Sequence, residues 1–382
     1  MLLFVASAAL LAGQLIQRTP SEVTNLVMVG RSPAIHALVD GHDAVLEIDT
    51  GSFELRITPA FAEKWGLNDR RVTMRLGSSP ALALKPLIED IDAPDQLPLQ
   101  SGWSPHSDGI IGLDVLRMYA IGIDTNGGKV SFWYGGKLSQ PEVEQWANAS
   151  LEDGAKMDLF STGVEDWYHI RAEVNKHPVD MLLDTGTAYS TVNPSLEKPL
   201  GLKVIGETPV MEIGHSEKLK VATADSITFG PFAAEFPVLN IENQEDSQVE
   251  GILGTEALGT GKFLLDLPEN AFYMWRQPAQ QSNPLERRLR AAGIDLFPTI
   301  SGALVTIVRA GSQAAEAGIA SGDQLKSIGD VTVSDMVAGL QKPLDSKRMS
   351  RMLKVGLDAF GGELNVTVQR ADGKVVTLAL PK

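Results

Sequence analysis

Cysteine is missing from this 382-residue sequence altogether. Its absence excludes a disulfide framework, a thiolate metal site and a cysteine nucleophile. Positive charge is scarce as well: 33 Lys and Arg stand against 48 Asp and Glu, a formal net charge of −15 with a pI near 4.9. A chain of that sign is poorly suited to a phosphate backbone or an anionic membrane, so nucleic acid is not an expected partner. The six histidines show neither a His-Glu-x-x-His spacing nor a tight cluster with acidic residues, which argues against a metal site. No Gly-x-Ser-x-Gly elbow or phosphate-binding loop is present. Long apolar runs are lacking too. The segment from Met1 to Gly13, uncharged until Arg18, is too short to span a membrane comfortably. It suits the apolar core of a secretory signal peptide over residues 1–20, with small residues near Ala12 for cleavage, although no Lys or Arg precedes it. Export to the periplasm or medium is the expectation, with no membrane span left after signal removal.

What is present is a duplication. Asp49-Thr50-Gly51 and Asp184-Thr185-Gly186 lie 184 − 49 = 135 residues apart, and the same offset pairs Ile35 with Ile170, Ala37 with Ala172, Val39 with Val174 and His42 with His177. Downstream it pairs Pro59 with Pro194 and Gly66-Leu67 with Gly201-Leu202. One Asp-Thr-Gly arises by accident in roughly one chain in ten of this length. Ten identities over the 33 positions from 35 to 67, without a gap, describe a duplicated structural unit. The repeat continues with drifting offsets. Met74 to Ser79 resembles Met211 to Ser216, and Asp108-Gly109-Ile110-Ile111-Gly112 parallels Glu250-Gly251-Ile252-Leu253-Gly254 at 250 − 108 = 142. Short apolar strands then close each unit, around Ile121 to Trp133 and Phe263 to Trp275.

With 43% hydrophobic and 21% charged residues, the chain is globular and long enough for two or three domains. Residues 35–57 predict two strands joined at Asp40-Gly41, and Asn175-Lys176 takes the same turn position in the second unit. Each aspartate then falls where a strand ends in a tight loop. Pro59 to Gly66 and Pro194 to Gly201 predict short helices opened by proline and closed by glycine. The units span 21–138 and 157–276, with a polar connection over 139–156 and a second linker over 277–289. Beyond it, Gly311-Ser312-Gln313-Ala314-Ala315-Glu316-Ala317-Gly318-Ile319 predicts a short helix, and Ser321-Gly322-Asp323 turns into a strand from Gln324 to Ile328. An amphipathic helix is expected over Ser346 to Ala359, and a closing hairpin over Glu363–Gln369 and Val375–Leu380 turning at Asp372-Gly373. This stretch, residues 290–382, resembles a bacterial PDZ domain, with an α+β fold and a groove that takes a peptide or protein C-terminus as an added strand. Gly293 and Ile294 are the candidate peptide-binding positions.

Two carboxylates brought face to face cannot both ionise cheaply, so one keeps a proton. Such a pair can hold a water, with one carboxylate taking its proton as it attacks a carbonyl and the other carboxyl donating to the developing oxyanion. Over residues 30–276 the duplicated motifs resemble aspartic peptidases of the pepsin and retroviral type, arranged as two retropepsin-like units in tandem; the split titration of the dyad is a known property of that family. The resemblance implies a mostly β, bilobal fold, a catalytic unit complete in one chain, an extended polypeptide substrate, and no metal or organic cofactor. It carries Asp49 and Asp184 over as the catalytic pair, supported by Thr50, Gly51, Ser52, Thr185, Gly186 and Thr187. The threonines are placed to bond across to the opposite loop, and the Ser52 and Thr187 hydroxyls are expected to favour ionisation and an acid working range. Phe53-Glu54-Leu55 departs from the pepsin pattern, and no flap tyrosine is identifiable. Gly77 and Gly214 are candidate flap tips or else ordinary hairpin turns. His42 and His177, beside their hairpin turns, read as structural. The competing reading is a protease-like scaffold without catalysis, working through its PDZ domain.

Overall fold

The computed structural model describes residues 18–29, 32–68, 70–89, 107–161, 167–212, 215–235, 237–242, 249–259, 261–276, 284–298, 304–309, 311–333, 355 and 362–381. Residues 1–17 of the proposed signal segment, Gly214 and the tract from 90 to 106 therefore lie outside the described residues.

The fold is mostly β. In the first half, β1 (Glu22–Val29), β2 (Ser32–Val39) and β3 (His42–Ile48) form an antiparallel meander. Asp40 and Gly41 have φ of 53° and 85° at the β2–β3 turn, the mirror-image turn whose twist matches that of the flanking strands. Alternation along β2 and β3 sends Ile35, Ala37, Val39, Ala44, Leu46 and Ile48 into the core. After the Asp49 loop come β4 (Arg56–Ile57) and α1 (Pro59–Trp65). Helix α1 starts on Thr58, whose hydroxyl accepts from the Phe61 amide at 3.2 Å, and stops at Gly66 with φ 65°. Then follow β5 (Val72–Arg75), β6 (Leu82–Leu84), β7 (Leu87–Ile88), β8 (Gly109–Ile111) and α2 (Leu113–Leu116). Strand β8 runs parallel to β3 and antiparallel to β4. The hairpin β9 (Tyr119–Asp124) and β10 (Lys129–Tyr134) ends the half.

The expected polar connection is a packed element. Its reason is the spacing of Val143, Trp146 and Ala147, which puts three apolar side chains on one face of α3 (Gln140–Ala147). A reciprocal cap between Ser139 and Glu142 begins this helix, and the Trp146 ring lies 6.1 Å from Trp133 and 6.4 Å from Trp275.

After β11 (Ala155–Asp158), the second half repeats the path of the first. Strands β12 (His169–Val174) and β13 (His177–Leu183) turn at Asn175 and Lys176, with φ of 50° and 68°. Next comes β14 (Ser190–Val192). Where a second helix is expected from Pro194 to Gly201, only a single 3₁₀ turn, Pro194–Leu196, forms. The antiparallel hairpin β15 (Lys203–Glu212) and β16 (His215–Thr223) follows, then β17 (Ser226–Phe229), β18 (Phe232–Glu235), β19 (Val238–Ile241), β20 (Gly251–Leu253) and α4 (Thr255–Leu258). Strand β20 lies parallel to β13, as β8 does to β3.

Pairing redraws one part of the sequence repeat. β5 meets β2 at Val39↔Met74, whereas β12 is met by β17 at Val174↔Ile227. The equivalent of Met74 is thus Ile227, not Met211. The β15–β16 hairpin is extra chain in the second half: Ile57 to Met74 spans 17 residue steps, and the matching Val192 to Ile227 spans 35.

The halves join through the closing hairpins. β21 (Gly261–Asp266) pairs with β22 (Ala271–Arg276) and also antiparallel with β9, so β11-β22-β21-β9-β10-β1 is one continuous stretch of sheet. The offset of 142 carries residue 122 onto 264, and Gly122↔Leu264 is an observed pair, flanked by Ile121↔Leu265 and Ile123↔Phe263. A local two-fold axis therefore passes between these two positions.

The C-terminal domain begins earlier than the expected boundary. α5 (Pro284–Ala292) belongs to it, because the buried Arg288 donates to the carbonyls of Pro381 at 2.6 Å, Gly362 at 2.9 Å and Leu380 at 3.0 Å. Strands β23 (Ile294–Pro298), β24 (Leu304–Val308), β25 (Gln324–Ile328), β26 (Val331–Thr332), β27 (Asn365–Gln369) and β28 (Val375–Ala379) make a separate sheet, with α6 (Gln313–Glu316) between β24 and β25. Leu325, Ile328, Val366 and Val368 form its own core. Of the helix expected over Ser346 to Ala359, only Val355 is among the described residues.

Candidate active site

Asp49 and Asp184 meet at the junction of the halves. Their loops are hung in the same way: the Asp49 amide donates to Ile111 O at 3.2 Å and the Asp184 amide to Leu253 O at 3.1 Å. This accounts for the aliphatic-aliphatic-Gly motif in each half. The helix after it contributes too. At its start the amides of Leu113 and Asp114 reach Ser52 O and Phe53 O, and those of Thr255 and Glu256 reach Thr187 O and Ala188 O, at 2.8–3.0 Å. Helix-start amides with no partner inside the helix are thereby satisfied by the aspartate loops.

The threonines cross between the halves. Thr50 Oγ1 donates to Leu183 O at 2.6 Å and accepts from the Thr185 amide at 3.1 Å. Thr185 Oγ1 donates to Ile48 O at 2.5 Å and accepts from the Thr50 amide at 3.2 Å. Both threonines are fully buried. Hydrogen bonds in such a site have little competition from water. Ser32 adds a further crossing bond, donating to Gly186 O at 2.8 Å. Phe53 of the first loop meets Trp167 of the second half with ring centroids 6.2 Å apart. The offset of 135 makes Ser32 and Trp167 equivalents, so each half touches the other's loop from the same position with different chemistry.

Each glycine lies against the opposite carboxyl. A Cβ placed on Gly51 would overlap the Asp184 carboxyl, and one on Gly186 would overlap that of Asp49. Only glycine permits that approach. Each glycine amide also donates to its own aspartate, Gly51 to Asp49 Oδ1 at 2.8 Å and Gly186 to Asp184 Oδ1 at 2.7 Å.

The two carboxyls differ electrostatically. Burial, then the negative field of Asp184 and the hydrogen bond to it, raises Asp49 well above the ordinary carboxyl value. Burial raises Asp184 as well, but its hydrogen bond from Asp49 and the amides of Gly186, Thr187 and Gly51 pull it back down. Asp49 is 8% exposed, and Asp184 is the more open of the two. Both carboxyls are pushed up from the ordinary value, so the pair favours holding a proton between them.

The hydroxyls of Ser52 and Thr187 are used differently from the expectation. Ser52 Oγ accepts from Arg56 Nε at 3.1 Å, and the Thr187 hydroxyl points to Tyr189 O at 3.4 Å. It is the Thr187 amide that donates to Asp184, at 3.2 Å. Arg56 continues to Glu89 at 2.6 Å. It is a supporting residue that the repeat conceals, because its equivalent in the second half is Thr191.

Residues 170–257 match the model of the Aspartyl protease family. The matched stretch runs from β12 into α4 and contains Asp184 but not Asp49. Among solved structures, a retropepsin-like aspartic protease from Rickettsia conorii is 18% identical, covering 31% of this chain and 88% of its own, with a TM-score of 0.26. The aspartic proteinase from Irpex lacteus is 12% identical, covering 68% of this chain and 98% of its own, with a TM-score of 0.42. Basic 7S globulin from soybean is 11% identical, covering 66% and 94%, with a TM-score of 0.35. No curated protein matches the chain. The aspartyl protease match supports an aspartic peptidase, a hydrolase that acts on polypeptide.

The remaining candidates fall elsewhere. Gly77 is no flap tip: with φ 56° it packs on Ser21 and Glu22, and the Ser78 amide donates to Ser21 O at 3.1 Å, tying the turn to the start of β1. Gly214 lies outside the described residues. His42 stacks on Trp65 at 4.0 Å beside the first hairpin turn, and His177 is exposed at the second. Gly293, φ 81°, forms the turn between α5 and β23, and the Ile294 side chain is buried in the C-terminal core, which leaves only backbone at these positions for a peptide.

Proposed function

We propose that the protein is an aspartic endopeptidase in which Asp49 and Asp184 share one proton and activate a water against a peptide bond. The observation that carries this reading is the mutual insertion of Gly51 and Gly186, each lying against the other half's carboxyl. With Asp184 ionised, its carboxylate takes a proton from the water as oxygen attacks the carbonyl carbon, and Asp49 gives its proton to the carbonyl oxygen. The resulting gem-diol collapses as Asp184 passes its proton to the departing nitrogen and Asp49 recovers one from a hydroxyl. Both carboxyls end as they began. The substrate is an extended polypeptide, and the β15–β16 hairpin is the element of the second half long enough to close over it.

The C-terminal domain is proposed to be a PDZ module that takes a peptide terminus as an added strand. The edge of β23 opposite β24 has no strand partner among the described residues. Exported, periplasmic action is proposed from the apolar start of the sequence.

The test is peptide cleavage from pH 3 to 7 with wild type, Asp49→Asn and Asp184→Asn. Each substitution is expected to remove cleavage by three or more orders of magnitude while leaving the fold intact. Cleavage that survives either change means the dyad is not responsible, and a wild type that cuts nothing in a broad peptide library leaves the scaffold reading standing.

A further inference from the structure

Strand β24 of the C-terminal domain carries an isoleucine that its own core does not bury. Thr306 faces inward, with Oγ1 donating to Ala320 O at 2.8 Å, so alternation turns Ile307 outward. Ile307 is nevertheless only 2% exposed. It packs with Val221 of β16 and Val238 of β19, against Tyr189 and Ile205. Beside it Gly322, φ 92°, sits on the second half so closely that a Cβ there would lie 3.3 Å from Ile205 O and 4.0 Å from Ile205 Cβ.

Ile205 is no ordinary strand position. The β15–β16 ladder pairs Val204↔Ala222 and then Gly206↔Val221, leaving Ile205 as an unpaired extra residue. Such a bulge bends its strand and sets the direction of the ribbon beyond it. β19 supports β16 only from Lys220 to Thr223. Past that root, Gly206 to Glu212 and His215 to Leu219 form a ribbon without a third strand among the described residues, roughly 20 Å long at about 3.4 Å per residue. A two-stranded ribbon has little stability of its own, so its pose is governed at the root. The other contact, Tyr189, is two residues beyond Thr187, whose amide bonds Asp184.

We propose that the C-terminal domain is a clamp: by docking Ile307 and Gly322 on the bulge at Ile205 and on Tyr189, it fixes the β15–β16 hairpin and the Asp184 loop in the pose used for cleavage. The functional half of this inference rests on the peptidase reading; the structural half does not. Release of the domain frees the ribbon and lowers affinity for peptide.

Ile307→Glu in the full chain tests it, with Ile307→Ala as a milder companion. Expected are at least tenfold faster amide hydrogen exchange over residues 204–223 and a several-fold rise in KM, both smaller for Ile307→Ala. The chain has no cysteine, so the added pair Ile205→Cys and Gly322→Cys forms the sole disulfide. Its Cβ separation of 4.0 Å lies within the range of about 3.5–4.5 Å that a disulfide needs. Oxidising that pair in the Ile307→Glu background is expected to restore slow exchange and the original KM, and reduction to abolish both. Any strain at position 322 is common to the two redox states. Exchange over 204–223 that changes less than twofold in Ile307→Glu overturns the clamp, as does an oxidised pair that restores nothing. If wild type cleaves no peptide but exchange responds as stated, the peptidase reading fails while the clamp stands.

Discussion

Thr50→Val is the substitution whose cost the structure specifies best. A methyl replaces a hydroxyl at nearly constant shape, so packing is kept and hydrogen bonding alone is lost. Thr50 Oγ1 serves Leu183 O at 2.6 Å and the Thr185 amide at 3.1 Å, and both of those residues are fully buried. Each buried polar group left without a partner costs about 1–3 kcal/mol, so roughly 2–6 kcal/mol is expected for the two. Thr185→Val strands Ile48 O and the Thr50 amide in the same way and should cost a similar amount. The two hydroxyls lie 3.5 Å apart, and the double variant should depart from additivity by about 0.5–3 kcal/mol. Thr50→Ser keeps the hydroxyl and loses one methyl, about 0.8 kcal/mol. Urea unfolding followed by tryptophan fluorescence isolates the relevant part of the molecule, because all six tryptophans precede residue 277 and none lies in the C-terminal domain. If Thr50→Val and Thr50→Ser cost the same within about 0.5 kcal/mol, the crossed hydrogen bonds do not hold the halves together and the reasoning is wrong.

Asp49→Asn should stabilise the protein at neutral pH and not at pH 3. The raised carboxyl favours the fold while protonated, and that contribution is lost as pH rises through the folded-state value, so a neutral amide escapes the loss; melting temperatures from pH 3 to 8 check it. His169 has the opposite sign. Burial pushes its imidazole below the ordinary value of 6.5, so its contribution is lost as pH falls from there through the folded value, and His169→Phe should move acid unfolding to lower pH. Gly51→Ala and Gly186→Ala should each remove cleavage while preserving most of the far-UV circular dichroism, because the new methyl displaces the opposite carboxyl rather than the core. Trp146→Ala should destabilise by about 3–5 kcal/mol, since the ring fills the space between Trp133 and Trp275; a loss under about 1 kcal/mol in urea would mean that α3 is peripheral.

What could be read from the sequence was local or duplicated. Asp40-Gly41 announces its turn because few residue pairs tolerate two successive positive φ angles, Asn175-Lys176 is found through the repeat, and Pro59 with Gly66 marks both ends of α1 through backbone restrictions alone. The repeat places Asp49 and Asp184 in equivalent loops, since a duplicated strand and turn must deliver its last residue to the same place. Equivalence also misleads where one copy has grown. Met74 and Met211 share a local pattern, yet Val39↔Met74 and Val174↔Ile227 show that the hairpin containing Met211 has no counterpart in the first half. Some contacts between the halves carry no repeat signal, as Ser32 on Gly186 and Phe53 on Trp167 show: the same position in two copies bonds by a hydroxyl in one and by a ring in the other. The electrostatic asymmetry belongs to that class. Two identical Asp-Thr-Gly motifs give no reason for the two aspartates to have different surroundings. The asymmetry arises because the Thr187 amide turns toward Asp184 while Asp49 is the more deeply buried, a difference created only when unequal neighbours fold around equal loops. Duplication supplies two like carboxyls, and divergence around them gives the two unequal surroundings.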